Sequence, residues 1–257
     1  MIFRALVIAA YGFLLAPAIF VVAIAFSSDR FLTFPPPGLS LRWFGTLFEH
    51  AQMMAAMQRS AILAAIVTTL SLAIGVPAAY AIARLRFPGR GAIFAALTAP
   101  LLLPTLVIGL GILLVFFPYG LAGTWPGLAL AHLAVTLPFV VRIMTTAFAT
   151  LPPDLEDAAA TLGATPARVA FRITLPLALP GLIAAAALSF LISFDEVVIS
   201  LFIVGPRLST LPVEMYRYVE GHTDPMVAAL AVVLILLSIS VVLLVERLVG
   251  FTRTVSK

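Results

Sequence analysis

Six long apolar segments alternate with polar links along this chain. They cover about residues 5–26, 60–83, 92–117, 127–148, 181–204 and 226–246. Each segment is long enough to cross the hydrocarbon core of a bilayer as a helix, which takes about 20 apolar residues. Because backbone polar groups find no water in that core, apolar stretches of this length favour helices over barrel strands. The pattern predicts an all-α polytopic membrane protein with six transmembrane helices.

Composition supports this class and excludes several others. Hydrophobic residues make up 63% of the 257 and charged residues only 10%, whereas soluble domains carry about a quarter charged residues. The chain has no cysteine and three well-separated histidines, so disulfides and thiolate sites are excluded and a histidine metal cluster is not expected. Its sole lysine is Lys257, which excludes a GxxxxGK(S/T) phosphate loop. We expect no cofactor in this chain.

Arginines indicate how the chain is oriented. The link at 84–91 carries Arg84, Arg86 and Arg90 and no acid. Cytoplasmic links of membrane proteins are enriched in arginine and lysine, so this link is expected in the cytoplasm. Alternation of the spans then puts both termini and the loop at about 149–180 on the same side. The net charge of +4 reflects this topology, and no nucleic-acid partner is predicted.

The first apolar segment allows a second interpretation. Arg4, an apolar stretch and Ala23-Ile24-Ala25 together have the layout of a cleavable signal peptide. The stretch is longer than a usual signal core, so a retained transmembrane helix is the preferred interpretation.

The link at 27–59 is predicted to hold a short amphipathic helix. Ser40 precedes a stretch with Trp43, Phe44 and Leu47 on one side, and serine is a favoured N-cap residue. Such a helix would lie at the bilayer surface, with Trp43 as an interfacial anchor.

The third apolar segment carries two prolines, Pro100 and Pro104. Each removes a backbone donor and can kink the helix that contains it. The segment is therefore predicted to be a broken or bent helix, as is common in transporters that move.

A long polar interruption between apolar segments runs from Leu155 to Pro180. Asp154 is placed to cap a helix, and Asp157 follows three residues later in an approximate capping box. Together with Glu156 these carboxylates occupy a first turn, where the helix dipole favours negative charge. The run 158–160 is all alanine, which another surface can approach closely, and Gly163 is a natural helix stop.

A second short helix is predicted after this glycine. Thr165 is a favoured N-cap and Pro166 a favoured first helical residue. Arg168 and Arg172 then fall four residues apart on one face. Loops of about 30 residues that carry this many signals for helix starts and stops are rarely plain connectors. The loop is predicted to be a docking element for a soluble partner, the alternative being a solvated hairpin.

The spacing of this loop resembles a known motif. Asp157-Ala158-Ala159, Gly163 and the run Ile173-Thr174-Leu175-Pro176 are similar in spacing to the EAA motif of ABC importer permeases that work with a periplasmic binding protein. In that family the motif is a coupling helix that sits in a groove of the ATPase subunit. Asp157 stands where the family usually has glutamate, with Glu156 beside it. The resemblance implies that the ATPase-coupling residues are Glu156, Asp157, Ala158, Ala159, Gly163, Ile173, Leu175 and Pro176.

The resemblance extends over nearly the whole chain. The run Ser40-Leu41-Arg42-Trp43-Phe44 and the stretch from Ser193 to Ser200 are similar to the second permease subunit of spermidine/putrescine importers. This implies a type I ABC importer permease fold, also called MetI-like, with residues 1–257 as a single transmembrane domain and a coupling loop at about 149–180. It also implies a place in the bacterial inner membrane.

The resemblance further implies the partners and the mechanism. A second, homologous permease would complete the pathway, two ATPase subunits would dock on the cytoplasmic loop, and a periplasmic binding protein would deliver the solute. ATP and Mg²⁺ would be held by the ATPase, so this chain is not expected to be an enzyme. Alternating access would import a polyamine such as spermidine or putrescine. Other possible cargo includes 4-aminobutyrate, a betaine, an aminophosphonate or iron.

Two interpretations come from other classes of protein. An ion-coupled secondary transporter would move its solute alone, without contact to an ATPase. A membrane scaffold or sensor would bind a soluble partner without moving cargo.

The fifth apolar segment holds Asp195 and Glu196, the only carboxylates well inside a predicted span, since Glu246 is the last residue of the sixth. A charge at the centre of a lipid-facing helix costs about 2.5–3.5 kcal/mol. On a continuous helix Ser189, Ser193, Glu196 and Ser200, spaced 4, 3 and 4, would share one face. Such a stripe is expected to face an aqueous pathway or a protein partner. Glu196, with Asp195, is predicted to offer negative charge to a cationic solute, and the pathway residues are Ser193, Asp195, Glu196 and Ser200.

A structural role for these carboxylates is the competing interpretation. They could form an ion pair, for example with Arg142 in the fourth segment, or a gate contact with the partner subunit. His132 and Thr136 share a face of that same segment. A lone buried histidine is usually a hydrogen-bonded interior residue, and no role is assigned to His132.

Overall fold

The structure is a computed structural model that describes residues 2–255, so Met1, Ser256 and Lys257 lie outside the described residues. Within that range it contains helices and turns, with no strand beyond isolated bridges. The all-α prediction is thereby confirmed. In chain order the helices are α1 (Ile2–Ala25), α2 (Arg42–Glu49), α3 (Ala51–Arg84), α4 (Arg90–Thr98), α5 (Thr105–Phe116), α6 (Trp125–Ala149), α7 (Asp154–Thr161), α8 (Pro166–Val169), α9 (Leu175–Leu177), α10 (Leu179–Phe194), α11 (Val198–Ile203), α12 (Leu211–Gly221) and α13 (Met226–Val255).

The described helices allow four to six membrane spans. Four are long and apolar enough by themselves: Leu6–Ala25, Ala51–Arg84, Trp125–Ala149 and Met226–Arg247. Two bent pairs bring the number to six when each pair counts as one span. These pairs are Arg90–Leu102 with Thr105–Tyr119, bent by 106°, and Pro166–Leu177 with Leu179–Phe194, bent by 72°.

The third predicted span is broken, as its prolines indicated. After α4 the chain passes through a 3-10 turn, Ala99–Leu102, and α5 begins only after Pro104. Pro104 has the extended ψ of 131° and stands just before the first residue of α5. Its ring removes the N–H that a continuous helix would need, so the chain changes direction here.

The described chain divides into two compact units. One contains residues 2–58 and 211–240, and the other contains residues 59–210 and 241–255. The single permease domain expected from the resemblance stays a prediction.

Helix α6 is central to the larger unit, because it contributes to two hydrophobic clusters of the described residues. One cluster contains Leu63, Val67, Leu128, Ala131, Val135, Ile199 and Ile203. The other contains Ala79, Val140, Met144, Phe148, Ala178 and Ala185. The two clusters therefore lie along one helix, and α3, α10 and α11 pack against it.

Glycines let two helices approach α6 closely. A Cβ on Gly75 of α3 would lie 2.7 Å from Val140 Cγ1, and a Cβ on Gly181 of α10 would lie 2.6 Å from Ala147 Cβ. Both distances are too short for real side chains. Small residues at crossings are the usual way for membrane helices to gain packing contacts, since lipid offers no hydrophobic drive for their association.

Helix α2, in the smaller unit, differs in two details from its prediction. Its N-cap position is Leu41, and the Ser40 hydroxyl accepts a 3.2 Å hydrogen bond from the Arg42 N–H without capping the helix. Trp43 is buried, and its Nε1 donates to the Asp29 carbonyl at 3.1 Å. The expectation of an interfacial anchor is therefore wrong, because the preceding link folds back and covers the indole.

Replacing Gly127 by alanine is expected to destabilise the start of α6 by about 1–3 kcal/mol, the usual cost of overpacking. A Cβ at this position would overlap the backbone carbonyl oxygen of Leu121, which no rotamer change can relieve. Gly111→Ala is the matched control, because nothing lies within 4 Å of a Cβ there. Thermal unfolding of the purified protein in detergent measures the difference. Equal melting temperatures for the two variants would contradict the predicted overlap.

Candidate functional site

Helix α7 begins the predicted coupling loop, but Asp154 does not cap it. The N-cap position belongs to Pro153, with helical φ of −65° and ψ of −27° and no side-chain capping bond. Asp154 is already the first helical residue, so its side chain cannot reach the N–H groups that a cap serves. The Pro153 carbonyl accepts hydrogen bonds from the N–H groups of Glu156 and Asp157 instead. The three acids still lie in the first turn, where the dipole favours them.

Gly163 closes α7, as predicted. Its φ of +82° is left-handed, a conformation that glycine adopts without strain. The Gly163 N–H donates to the Ala160 carbonyl at 2.9 Å, and the Ala164 N–H donates to the Ala159 carbonyl at 3.1 Å. This pair of bonds is a Schellman motif, which satisfies the last carbonyls of the helix. The small-residue segment thus ends in a sharp and specific turn.

The second half of the loop starts as predicted and then departs from a regular helix. The Thr165 hydroxyl accepts from the Arg168 N–H at 3.3 Å, so Thr165 is the N-cap of α8 and Pro166 its first residue. Residues Ala170–Thr174 form a π-helical turn before α9. A π turn widens the helix by one residue, so residues after it no longer follow α-helical spacing. The predicted pairing of Arg168 with Arg172 on one face therefore does not describe this segment.

The predicted coupling residues lie on different sides of the loop. Asp157, Ala158, Gly163 and Pro176 are exposed, while Ala159, Ile173 and Leu175 are half-buried. Glu156 is turned towards its own chain: its Oε1 lies 3.0 Å from Arg84 Nε and accepts a 2.8 Å hydrogen bond from the Thr174 hydroxyl. A coupling role for these residues stays a prediction. Two adjacent acids thus point in different directions, because neighbours on a helix are about 100° apart.

The fifth apolar segment, predicted at about 181–204, is broken where the sequence predicted a continuous polar stripe. Helix α10 ends at Phe194, residues 195–197 are not helical, and α11 begins at Val198. Glu196 therefore does not share a helical face with Ser189 and Ser193. At the break the Glu196 carboxylate accepts the N–H of Ile199 at 3.0 Å, a backbone donor in the first turn of α11. A side chain that serves backbone donors in this way competes with helix continuation.

The two carboxylates at this break differ in their surroundings. Asp195 is exposed, and Glu196 is half-buried. Among the described residues the side-chain ion pairs are Arg84 with Glu156 and Arg217 with Glu214. Neither Asp195 nor Glu196 pairs with Arg142, so that structural interpretation is not supported.

Glu196 lines a cavity of about 230 Å³. The cavity lies between the break in the fifth span and the break at Pro104, and its walls are mostly apolar. It is lined by Pro100, Leu101, Leu103, Thr105, Ile108, Val135, Phe139, Ile192 and Glu196. A carboxylate at the edge of an apolar cavity suits an organic cation, which needs one charge contact and apolar surface for its methylene groups.

His132 joins the two sides of the broken fifth span. Its Nδ1 lies 3.0 Å from the Ser193 hydroxyl of α10, and its Nε2 lies 2.9 Å from the Ser200 hydroxyl of α11. All three side chains are buried. Neither serine hydroxyl is open to a passing solute in this conformation.

Further hydrogen bonds extend the network around His132 to α3. The Thr136 hydroxyl donates to the His132 carbonyl at 3.0 Å and lies 2.7 Å from the Ser71 hydroxyl. The spacing of His132 and Thr136 in the sequence was the available signal for this network. What the sequence did not reveal is the break that brings Ser193 and Ser200 to the two ring nitrogens. No group that could hold a metal ion occurs among residues 2–255.

Residues 71–253 match the family described as "Binding-protein-dependent transport system inner membrane component". The chain belongs to this family. Members are integral to the inner membrane by that description, in agreement with the apolar helices found here. The predicted assignment to the ABC importer permeases is therefore confirmed.

Two relatives are similar over most of their length. The putrescine transport system permease protein PotI of Escherichia coli strain K12 is 34% identical over 232 residues, covering 88% of this chain and 82% of that protein. The spermidine/putrescine transport system permease protein PotC of the same strain is 32% identical over 247 residues, covering 96% of this chain and 92% of that protein.

Solved structures of ABC transporters have the same fold. A bacterial alginate ABC transporter, in complex with a periplasmic protein bound to an alginate pentasaccharide, matches with a TM-score of 0.72 at 18% identity over 96% of this chain and 92% of that one. The inward-facing methionine ABC transporter MetNI matches with a TM-score of 0.65 at 18% identity, over 78% of this chain and 95% of that one. The predicted type I permease fold is confirmed.

Proposed function

We propose that this chain is the second permease subunit of an ABC importer for polyamines. It would form half of the translocation pathway, with a homologous permease forming the other half. A periplasmic binding protein would deliver the solute, and two separate ATPase subunits would hold the ATP and Mg²⁺. The chain itself would then carry out no chemical step and need no cofactor.

The observation that carries the coupled mechanism is the form of α7. None of its eight residues is buried, and its carboxyl end is closed by the Schellman turn at Gly163. This short helix contributes no buried residue to a core, and yet its carboxyl end is closed by a specific turn. Both properties are expected of a surface that contacts another protein. Asp157 and Ala158 are exposed on it and would meet the ATPase in the cytoplasm.

The polyamine assignment rests on two supports. PotI is named as a permease of a putrescine transport system and PotC as one of a spermidine/putrescine transport system, and both are similar over most of this chain. The cavity beside Glu196 provides a carboxylate and apolar walls, which complement an ammonium group on a methylene chain. Since Glu196 has no cationic partner among the described residues, its charge remains available to a cationic solute.

We expect the ATPase to co-purify with the wild-type chain and to be lost when Gly163 is replaced by aspartate. An Asp side chain at a φ of +82° strains the turn, since left-handed backbone costs a non-glycine residue roughly 1–2 kcal/mol, and it also adds charge to the docking surface. Gly89→Asp is the matched control, because Gly89 also has a positive φ, +81°, and open space around it. Ala158→Trp should likewise release the ATPase. The measurement is the ratio of ATPase to permease after affinity purification of the co-expressed subunits.

A second preparation, of this chain without the other subunits, distinguishes the rival function. A secondary transporter would take up labelled spermidine in proteoliposomes that contain this chain alone, driven by an ion gradient and without ATP. Retention of the ATPase by Gly163→Asp and Ala158→Trp would contradict the proposed docking surface. Uptake by the isolated chain would contradict the importer as a whole.

A further inference from the structure

Glu156 joins α7 to two other segments of the larger unit. Its Oε1 lies 3.0 Å from Arg84 Nε and 2.8 Å from the Thr174 hydroxyl that donates to it. Arg84 is the last residue of α3, and Thr174 ends the π turn of the loop. Among the described side chains of α7, Glu156 is the one that forms an ion pair or a hydrogen bond with another segment.

This junction is well shielded from solvent. The side chains of Arg84 and Glu156 are 11% and 20% exposed, and Thr174 is 1% exposed. Arg84 Nη2 also donates to the Leu151 carbonyl at 3.0 Å, so the guanidinium is held from the other side by the backbone before α7. The Nε–Oε1 contact is a charge contact by its distance, and its angle is not that of a hydrogen bond. Charges in such a position attract more strongly than they would in water.

Beside this junction a groove separates part of α3 from the loop, although Ala79 and Ala178 share a hydrophobic cluster. An open apolar groove of about 310 Å³ lies between them, with Tyr80 and Ala81 on the α3 side and Ala170 and Phe171 on the side of the π turn. Side-chain packing therefore does not join the loop to α3 along this groove. The polar junction at Arg84 and Glu156 supplies a direct connection from α7 to the end of α3.

We propose that Arg84 and Glu156 are positioning residues that pass displacement of α7 to the second span. The inference rests on the proposed function, in which α7 is the surface that the ATPase moves. When α7 is displaced, the ion pair must either carry the end of α3 with it or break. The two adjacent acids then have separate tasks: Asp157 faces the partner, and Glu156 connects to the rest of the permease.

The test uses the assembled transporter in proteoliposomes, formed from this chain, the second permease, the ATPase and the binding protein. Two quantities are measured: spermidine imported per ATP hydrolysed, and ATPase retained per permease. The variants are Glu156→Gln, Arg84→Gln and the charge exchange Arg84→Glu with Glu156→Arg. Thr174→Val removes the hydroxyl at constant shape and tests the same junction if Arg84→Gln fails to assemble. The controls are Asp154→Asn, which removes an exposed charge from α7, and Arg86→Gln, which removes one from the following link.

We expect Glu156→Gln and Arg84→Gln to keep the ATPase bound but to lower spermidine imported per ATP by about tenfold, a usual size for coupling between sites. The charge exchange should recover most of that loss, and the two controls should match wild type. An unchanged ratio in both single variants would overturn the link, as would loss of the ATPase in proportion to loss of transport. A wild-type assembly that retains no ATPase would overturn the proposed function itself, and the link with it.

Discussion

Glu196→Gln is expected to lower spermidine uptake by the assembled transporter by about 10- to 100-fold. A hydrogen bond to a charged group contributes about 1.5–3 kcal/mol, and each 1.4 kcal/mol is about a factor of ten. Glutamine keeps the size of the side chain and an oxygen that can accept the Ile199 N–H, which Glu196 accepts at 3.0 Å. The start of α11 should therefore survive, and the loss should come from the missing charge.

Initial rates of uptake over a range of spermidine concentrations measure this effect. Glu49→Gln is the matched control, since Glu49 is an exposed glutamate at the end of α2, outside the cavity. Asp195→Asn should have a smaller effect, because Asp195 is exposed and does not line the cavity. If Glu196→Gln transports at the wild-type rate with its ATPase bound, Glu196 acts only on the backbone of α11, and recognition of the cation must occur elsewhere.

His132→Leu is expected to destabilise the protein by about 2 kcal/mol or more and to abolish most transport. Leucine fills the space but leaves the hydroxyls of Ser193 and Ser200 without the ring nitrogens that they bond at 3.0 and 2.9 Å. A buried polar group left unpaired costs about 1–3 kcal/mol, although serines in membrane helices recover part of this through their own backbone carbonyls. The two sides of the broken span would also lose their connection.

A triple variant separates hydrogen bonding from packing. Adding Ser193→Ala and Ser200→Ala to His132→Leu removes both stranded hydroxyls, and replacing all polar partners of a network together can be nearly neutral. We expect the triple variant to regain most of the melting temperature lost by His132→Leu. A triple variant as unstable as the single one would show that the shape of the imidazole, rather than its two hydrogen bonds, stabilises this region.

The sequence predicted what depends on local pattern. The lengths of the apolar segments located the predicted spans. Pro104 indicated the break in the third span, because proline lacks the N–H that a helix interior needs wherever it occurs. Thr165 and Gly163 were recognised at the ends of the loop helices, since capping depends on the chemistry of a few consecutive residues. At Asp154 the same rule failed, because Pro153 was already helical and moved the start of α7 by one position.

Contacts between distant segments could not be predicted in this way. The direction of Glu156 is decided by Arg84, which is 72 residues earlier in the chain, and that arginine was interpreted only as an orientation signal. Periodicity also assumed a continuous fifth span, whereas residues 195–197 are not helical and the Glu196 carboxylate accepts a backbone N–H of a second helix. Because that break changes the directions of the Ser193 and Ser200 side chains, sequence spacing alone could not predict that they bond to His132.

The absence of buried residues from α7 has an evolutionary consequence. A substitution on its outward face removes no packing from either hydrophobic cluster, so it costs the fold little. Residues around the cavity, by contrast, lie on helices that those clusters hold together. Mutations on the outward face of α7 can therefore change its fit to an ATPase subunit without changing the cavity beside Glu196. Such a permease can acquire a new or shared ATPase while keeping its cargo.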